Sequence, residues 1–570
     1  MSLDFQSLGR NSDAAFTLKL HRGEGMLLLG MNWRDGVPPR DFVGFGIQYR
    51  EPRGARFYDL KNRLGFLDKD GKVDKTQLST MRSPIQKFRW VHFPRNADLD
   101  GLFTYRVTPV FMDQKGDLSY GLSQEADIRL MSETHPGQMN VAFTRGFVSS
   151  QAFVDRYESR GPISDLLPPR ADDGLTFVPT HPAANEALSW MGFEARRSLL
   201  LLLDEAIAKA TSVKVIAYDL SEPEIVKRLE ALGTRLRIII DDDGPHGEPH
   251  SGETQAATRL IVTAGANQVK RQHMGKLQHN KMIIVEGLGL AKAVGGSTNF
   301  SWRGLYVQAN NAVIVTGTSA IGPFKDAFEQ YWANDNAPGE FAASPSATWH
   351  DLGLTGIDAS VTFSPHNLGN AQLDLIGKDI AKTKSSLFFS LAFLAQTSGP
   401  VRDALTKAIT DDQVFVYGMS DKKLGGLELQ RPDGNLTAVF PSALSRNAPP
   451  PFKEEPKGGG GTRMHHKFVV IDFDKPTARV YLGSYNFSKA ADLSNGENLF
   501  LIKDRRIATS YMVEALRLFD HYHFRVSNAE AKASKKVLSL KRPPINVAEA
   551  TWFDEDFSVP QKIKDRLLFA

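Results

Sequence analysis

The sequence predicts a duplicated α/β fold, in which two similar repeats build one α/β sandwich, preceded by an all-β sandwich domain. Short apolar runs separated by Gly, Pro, Asp and Asn fill residues 1–150 and indicate β-strands. From about residue 180, strand-like and helix-like patterns alternate. Two short His-Lys motifs then recur along the chain, which indicates an internal repeat.

The composition is that of a globular protein with more than one domain. The chain has 570 residues, of which 41% are hydrophobic and 24% are charged. Its net charge of +4 permits an anionic partner without predicting one. There is no cysteine, which excludes disulfides, thiolate metal sites and a cysteine nucleophile.

Residues 1–150 show the pattern of a β-sandwich, with short strand-like runs such as FTLKLH and FTYRVTPVFM. The second of these runs resembles the late strand of fibronectin type III and immunoglobulin-like domains. We expect an accessory domain whose partner is unknown, because no acid–base cluster stands out here; binding of substrate is the alternative. Residues 151–175, rich in Pro, Gly and Asp, are interpreted as a linker.

Two repeats are expected, at residues 176–345 and 346–530. The segment Thr176–Pro179 reappears at Thr362–Pro365, an offset of 186 (362 − 176). The His-Lys motifs are separated by the same offset (465 − 279). Agreement at two separate places indicates a duplication. The remaining residues, 531–570, are expected to be a tail that packs onto the body through Trp552 and Phe553.

Each motif begins an apolar run typical of a buried strand. The first is His279-Asn280-Lys281 before MIIV, and the second is His465-His466-Lys467 before FVVI. Residues i and i+2 of a strand share a face, so the first histidine and the lysine of each motif project together. We therefore expect His465, and not His466, to act in catalysis.

Polar segments after both motifs add hydrogen-bond donors to the expected site. They supply Ser297, Asn299 and Asn311 in the first repeat, and Ser484, Asn486 and Asn498 in the second, all expected to bind phosphate or substrate. Lysines, amides and hydroxyls together fit a phosphate. We expect no metal and no cofactor, because no Asp/Glu/His cluster with metal-ligand spacing stands near the motifs. The Asp241-Asp242-Asp243 run could bind a cation but is interpreted as a solvated strand end.

Two imidazoles permit a two-step displacement at phosphorus. One attacks and forms a phosphohistidine, while the other protonates the leaving oxygen and then activates water or an alcohol. Glu286 and Asp472 lie seven residues after His279 and His465, and they are expected to orient and polarise the imidazoles.

With H-x-K, a carboxylate and a GG/GS-x-N segment twice in one chain, residues 175–530 resemble the phospholipase D superfamily. The resemblance implies a bilobal α/β sandwich with its site at a pseudo-twofold interface, a covalent phosphohistidine and no metal. It implies that His279 is the nucleophile and His465 the general acid. It assigns phosphate binding to Lys281, Lys467, Asn299 and Asn486, with Ser297 and Ser484 assisting. Glu286 departs from the family pattern, which has Asp.

The sequence favours a phospholipid substrate, with nucleic acid as the alternative. Phe300 and Trp302 flank the first GG-x-N segment, and Phe452 lies in the long loop 445–461. These aromatic residues are compatible with peripheral membrane contact, with packing in the core or at its rim as the alternative. The basic stretch Lys270–Lys276 is compatible with nucleic acid. A third interpretation is a non-catalytic scaffold, which is disfavoured because both repeats keep the His, the Lys and the Asn.

The longest apolar run, Leu199–Leu203, is far shorter than the ~20 residues that span a bilayer, so no transmembrane segment is expected. The N-terminal residues lack the pattern of a secretory signal. A cytoplasmic location is therefore expected, with signal-independent export as the alternative.

Overall fold

A computed structural model describes residues 4–131, 133–146, 153, 156–394, 398–411, 413–420, 438–439, 464–534 and 537–570. These residues divide into two compact units. The first combines residues 4–131 with residues 509–570, and the second lies between residues 133 and 508. Residues 445–461, which include Phe452, lie outside the described residues.

The first unit contains two antiparallel sheets. One has the strand order β1-β2-β3-β6, and the other has the order β5-β4-β7-β8, with β9 also paired to β7. The strands are β1 (Gln6–Leu8), β2 (Phe16–Arg22), β3 (Leu27–Trp33), β4 (Phe42–Arg50), β5 (Tyr58–Asp59), β6 (Arg89–His92), β7 (Leu102–Met112), β8 (Leu118–Tyr120) and β9 (Gln124–Arg129).

One apolar core joins these two sheets. Phe16 and Leu18 of β2 and Phe103 of β7 are buried in it, at every second position as a strand requires. Trp552 and Phe553 of the C-terminal segment belong to the same core. The predicted all-β sandwich is therefore confirmed, whereas its likeness to fibronectin type III or immunoglobulin domains stays a prediction.

The second unit contains two mixed sheets. Their orders are β10-β16-β15-β14-β11-β12-β13 and β17-β18-β24-β23-β22-β19-β20-β21. The strands are β10 (Met139–Phe143), β11 (Ala210–Ala217), β12 (Leu236–Ile240), β13 (Val269–Arg271), β14 (Lys281–Gly287), β15 (Leu290–Gly296), β16 (Asn311–Thr316), β17 (His350–Asp351), β18 (Asp358–Ser364), β19 (Ser386–Leu391), β20 (Phe415–Met419), β21 (Ala438–Val439), β22 (Lys467–Ile471), β23 (Arg479–Gly483) and β24 (Glu497–Lys503).

Helices follow or connect these strands. In the second unit they are Ala184–Lys209, Pro223–Leu232, Gly252–Ala264, Thr318–Ala333, Pro338–Ala343, Leu373–Ile380, Pro400–Thr410 and Lys489–Leu493. Helix Arg505–Ala533 begins in the second unit and continues into the first, which also holds Asp554–Ser558 and Pro560–Phe569. None of the helices within the described ranges is long and apolar enough to cross a membrane.

The two mixed sheets repeat one arrangement around the motif strands. β14 runs antiparallel between β11 and β15, and β22 runs antiparallel between β19 and β23. In both sheets the next neighbour is parallel, β12 beside β11 and β20 beside β19. This equivalence confirms the predicted duplicated α/β fold.

Strand β10 differs from the sequence-based expectation. Its residues fall within 1–150 and were expected in the β-domain, yet β10 pairs antiparallel with β16 at the edge of the seven-stranded sheet. The physical reason is that apolar alternation identifies a strand but carries no information on which strand it will pair with.

Candidate active site

The two motif histidines face each other within the second unit. His279 and His465 each lie two residues before a motif strand begins. Both are buried, at 3% and 4% exposure, and their ring centroids are 6.3 Å apart. His466 instead packs its ring against Phe143 and Phe468. The structure thus brings His279 and His465 together and turns His466 away.

Each of these histidines is held by a residue of the other repeat. His279 Nδ1 lies 2.6 Å from Glu497 Oε2, and His465 Nδ1 lies 2.8 Å from Asn310 Oδ1. Because both partner atoms are acceptors, each Nδ1 carries the hydrogen and each Nε2 presents a lone pair. Neither Nε2 has a hydrogen-bond partner among the described residues.

Two further contacts cross between the repeats. Asn498 Nδ2 donates to Asn280 Oδ1 at 3.0 Å, and Asn311 Nδ2 lies 3.4 Å from His466 Nδ1. Asn498 Oδ1 also accepts the backbone N–H of Gly296 at 3.0 Å. Asn311 and Asn498, expected among the phosphate-binding residues, are fully buried and join the two repeats to each other.

Two serines fix the acceptors that hold the histidines. Ser297 Oγ donates to Asn310 Oδ1 at 3.0 Å, and the Ser484 hydroxyl hydrogen-bonds to Glu497. Both serines are fully buried. The sequence predicts that they assist phosphate binding, whereas their hydroxyls are committed to the partners of the imidazoles.

Each motif lysine donates to the carbonyl of its own motif histidine and lies against an aromatic ring. Lys281 Nζ is 4.6 Å from the ring centroid of Tyr218, and Lys467 Nζ is 5.6 Å from that of Phe393. Burial lowers the pKa of Lys281 to about 7. Burial and the charge of Lys281 hold the pKa of Lys467 well below its ordinary value. An anion between the lysines would restore both charges.

Burial also keeps the imidazoles neutral. It lowers the pKa of His279 to about 4, against the opposing charge of Glu497. Burial and the charges of Lys467 and Lys281 hold the pKa of His465 well below its usual range. Burial alone would raise the pKa of Glu497, but His279 and Lys281 bring it below its ordinary value. The site therefore combines two neutral imidazoles with one carboxylate.

Asn299 and Asn486 keep polar atoms without partners. Asn299 Nδ2 donates to Asp219 Oδ2 at 2.7 Å, but its buried Oδ1 has no hydrogen bond. Asn486 Oδ1 is likewise buried and unpaired, and its Nδ2 has no partner within the described part of the chain. Both amides therefore keep hydrogen-bonding capacity that the described residues do not use.

The carboxylates that follow the motifs lie at the far ends of the motif strands. Glu286 accepts from Lys325 Nζ at 2.7 Å, and Asp472 accepts the backbone N–H of Lys384 at 3.0 Å. Each carboxylate lies five positions after its motif lysine, roughly 17 Å along an extended strand at about 3.4 Å per residue. The expectation that Glu286 and Asp472 orient the imidazoles is therefore corrected, because an extended strand carries them out of reach.

Sequence reasoning missed the residues that do hold the imidazoles. Asn310 and Glu497 stand directly before the repeated asparagines Asn311 and Asn498, at an offset of 187 (497 − 310). This repeated position, one residue before each asparagine, could have indicated a further pair of site residues. The sequence does not show, however, that each of them contacts the histidine of the other repeat, because spacing along the chain does not reveal contacts between repeats.

The acidic run after β12 is also corrected. Asp241, expected in a solvated strand end, is fully buried; it accepts the backbone N–H of Gln278 at 2.6 Å and lies 2.7 Å from His246 Nδ1. Asp242 lies 2.7 Å from His273 Nδ1. The run thus fixes the segment that leads into the first motif.

The described aromatic residues expected near a membrane surface are internal. Phe300 is 1% exposed and Trp302 is 4% exposed. Trp302 Nε1 donates to Gly174 O at 2.9 Å, and its ring packs against Tyr306 and Phe177. Neither residue is available for membrane contact.

Comparison with known proteins gives the family. A family model described as cardiolipin synthase, phospholipase D-like domain, matches residues 203–332 and 378–519. Each matched part contains one motif strand and its partner strands. The chain thus carries, in two parts, a phospholipase D-like domain of the phospholipase D superfamily, whose members are phosphodiesterases and phosphotransferases.

Similarity to individual proteins is short or distant. Two proteins named phospholipase D, from Rickettsia felis and Rickettsia prowazekii, are each 46% identical over 48 residues, which is 8% of this chain. The chain matches only 22% of the length of these relatives.

Among solved structures, a phosphatidylserine synthase from Haemophilus influenzae is 12% identical, with a TM-score of 0.41, over 60% of this chain and 92% of that one. A phospholipase D family member, Nuc, from Salmonella typhimurium is 23% identical, with a TM-score of 0.20, over 24% of this chain and 87% of that one. These likenesses do not select a substrate.

Proposed function

We propose that this protein cleaves phospholipid phosphodiester bonds through a covalent phosphohistidine formed on His279. The observation that carries the proposal is the unequal pair of partners on the facing histidines. Glu497 supplies a carboxylate to His279, whereas Asn310 supplies a neutral amide to His465. Two imidazoles in such different settings suit two different roles.

His279 is suited to the role of nucleophile. Its Nδ1–H is fixed on Glu497, so the neutral Nε2 lone pair is available to attack phosphorus. In this step an N–P bond forms and the bond from phosphorus to the leaving oxygen breaks. The imidazole gains positive charge as it attacks, and the adjacent carboxylate stabilises that charge.

His465 is suited to the roles of general acid and general base. Its amide partner orients the ring without stabilising an imidazolium, so a proton on Nε2 is readily given to the leaving oxygen. The anionic substrate favours this protonated form by offsetting the charges of Lys281 and Lys467. In the second step His465 takes a proton from water or an alcohol, whose oxygen attacks phosphorus and releases His279.

The remaining site residues are suited to holding the phosphate. Lys281 and Lys467 supply positive charge in a buried site, where the attraction between charges is strong. The Nδ2 groups of Asn299 and Asn486 supply N–H donors, since Asn299 uses only one of its two N–H groups on Asp219. Lys281 and Lys467 come from opposite repeats, as do the two asparagines. A phosphodiester held between them would contact both histidines.

Two observations favour a phospholipid substrate: the names of the matched relatives, and the contacts that the cations of the stretch Lys270–Lys276 make within the protein. The curated relatives are named phospholipase D, and the family model is described as cardiolipin synthase. Lys270 Nζ donates to Trp332 O at 2.7 Å, and Arg271 donates to carbonyls of Asp241 and His246. These cations are committed to the fold, which weakens the nuclease alternative.

Parallel incubations test the proposal. Purified full-length protein is given phosphatidylcholine and phosphatidylethanolamine vesicles, or single- and double-stranded DNA, with and without EDTA. We expect release of headgroup while DNA stays intact. Cleavage of DNA without headgroup release would select the nuclease alternative, and cleavage of neither would contradict both.

Matched variants test the assigned roles. His279→Ala and His465→Ala are expected to lower kcat about 1,000-fold or more, because a residue acting in a covalent relay is not replaced by its neighbours. His466→Asn, which copies Asn280 of the first repeat, is the control and should retain activity. If His466→Asn were inactive and His465→Ala active, the catalytic role would belong to His466 and not to His465.

A further inference from the structure

A second group of ligating side chains lies beside the phosphate site. Asp219, His246 and Glu253 each offer one ligand atom, and these atoms lie within 4.8 Å of one another. Asp219 follows β11, His246 lies in the 3-10 turn Gly244–Gly247, and Glu253 lies in the first turn of helix Gly252–Ala264. The proposed reaction uses none of the three.

The setting of His246 is that of a metal ligand. Its Nδ1 lies 2.7 Å from Oδ2 of the fully buried Asp241, which accepts the backbone N–H of Gln278 through its other oxygen. Its Nε2 is directed at Asp219 Oδ1, 3.2 Å away. Metal-binding histidines in proteins nearly always give their other ring N–H to a carboxylate or carbonyl in this way.

Glu253 provides an independent observation. It is only 6% exposed, and one of its carboxylate oxygens accepts the backbone N–H of Leu220 at 2.9 Å. It offers a carboxylate oxygen that lies within 4.8 Å of the ligand atom offered by Asp219. Two carboxylates this close in a largely buried site repel each other, and a bound cation removes that cost.

We propose that Asp219, His246 and Glu253 bind one divalent transition-metal ion of the Zn²⁺ or Mn²⁺ kind. One imidazole nitrogen and two carboxylate oxygens suit such an ion better than Mg²⁺, which takes oxygen ligands. Two ligand atoms at about 2.1 Å from a tetrahedral ion are roughly 3.4 Å apart, close to the separation of His246 Nε2 and Asp219 Oδ1.

The ion would position a phosphate-binding amide and take no part in bond breaking. Asp219 offers Oδ1 to the ion, while its Oδ2 accepts from Asn299 Nδ2 at 2.7 Å. Fixing Asp219 therefore fixes Asn299. The second repeat cannot copy the site, because Phe393 stands two residues after Leu391, where the first repeat has Asp219 two residues after Ala217.

Metal titration of the full-length protein tests the proposal. The protein is stripped with EDTA, dialysed, and titrated with Zn²⁺ and separately with Mg²⁺ by calorimetry, and the retained zinc is measured by mass spectrometry. We expect one zinc per chain and much weaker binding of Mg²⁺. Absence of stoichiometric zinc in the wild-type protein would overturn the proposal.

Two variants locate the ion. Glu253→Gln keeps an acceptor for the Leu220 N–H but removes the charge, and it should weaken zinc binding about tenfold or more. Asp242→Asn lies in the same loop outside the group and should bind zinc as the wild type does. Equal binding by Glu253→Gln and wild type would place the ion elsewhere and overturn the assignment.

A kinetic measurement separates this inference from the proposed reaction. With any phosphodiester substrate that is cleaved, removal of zinc should raise KM several-fold while kcat changes little, because only Asn299 is loosened. Loss of kcat on removal of zinc would contradict a positioning role. Zinc binding itself does not depend on which substrate is cleaved.

Discussion

Glu497 and Asn310 occupy equivalent positions but differ in charge. Each accepts from Nδ1 of a motif imidazole, and each accepts a hydrogen bond from a serine hydroxyl. The geometry around the two imidazoles is therefore nearly the same, and the charge of the acceptor is what distinguishes them. A single substitution of Glu497 or of Asn310 should therefore change how well each histidine performs its proposed role, without disturbing the fold.

Glu497→Gln is expected to lower kcat about 100-fold or more with little change in KM, because an amide orients His279 but no longer stabilises its positive charge. Steady-state kinetics on whichever phosphodiester is cleaved provides the measurement. Unchanged kcat would show that the carboxylate has no electrostatic role.

Asn310→Asp is the reciprocal control. A carboxylate beside His465 stabilises the imidazolium and raises its pKa. Since the acid role needs the proton and activity falls as pH rises above that pKa, the alkaline limb of the kcat/KM profile should move to higher pH. If the alkaline limb of the profile does not move, it reflects the ionisation of another group, such as Lys281, whose pKa is lowered to about 7.

At this scale the sequence predicted that His279 and His465 come together, but not which residues hold them. Strand alternation alone separates His465 from His466, because the two neighbours must face opposite sides. It could not supply Glu497, which lies 218 residues from His279 (497 − 279). The expectation that Glu286 orients an imidazole was wrong because it did not take into account the length of strand between Lys281 and Glu286.

At the scale of elements, strands β23 and β24 approach each other so closely at one point that the position requires glycine. Gly483 ends β23 with φ +148°, and a Cβ there would lie 2.1 Å from the backbone oxygen of Asn498. Asn498 in turn joins the two repeats through Asn280. The alternation of strands and helices was readable from the sequence, whereas this contact between strand backbones was not.

Gly483→Ala should destabilise the protein by about 3 kcal/mol, from backbone strain and the clash with Asn498 together. Gly317→Ala is the matched control, because Gly317 has φ +123° but nothing within 4 Å of its Cβ position. It should cost about 1 kcal/mol from strain alone. Denaturant unfolding measures both, and equal losses would contradict the role of the contact.

At the scale of the whole molecule, the first unit is built from segments far apart in sequence. Its two sheets come from residues 4–131, and residues 509–570 complete its core. Trp552 Nε1 donates to Phe42 O at 2.9 Å, and Phe569 O lies 2.7 Å from His21 Nε2. The sequence indicated that Trp552 and Phe553 are packed, but a local pattern cannot say against which surface.

Deletion of residues 543–570 should therefore unfold the first unit. Removing buried aromatic side chains costs about 3–5 kcal/mol each, which approaches the whole stability of a domain. Limited proteolysis should then cut within residues 4–131 while the phospholipase D-like unit stays protected. Val547→Ser is the control, since Val547 is 89% exposed and should change nothing. An unchanged digestion pattern in the truncated protein would contradict the shared core.

The contacts that cross between the repeats also bear on how this site could have arisen. If two identical chains had formed the same site as a pair, one gene would have supplied the acceptor for both imidazoles, and a carboxylate on one would have required a carboxylate on the other. Joining two copies in one chain removes that constraint, because each copy then mutates alone. Glu497 opposite Asn310 is therefore a difference that a pair of identical chains could not carry.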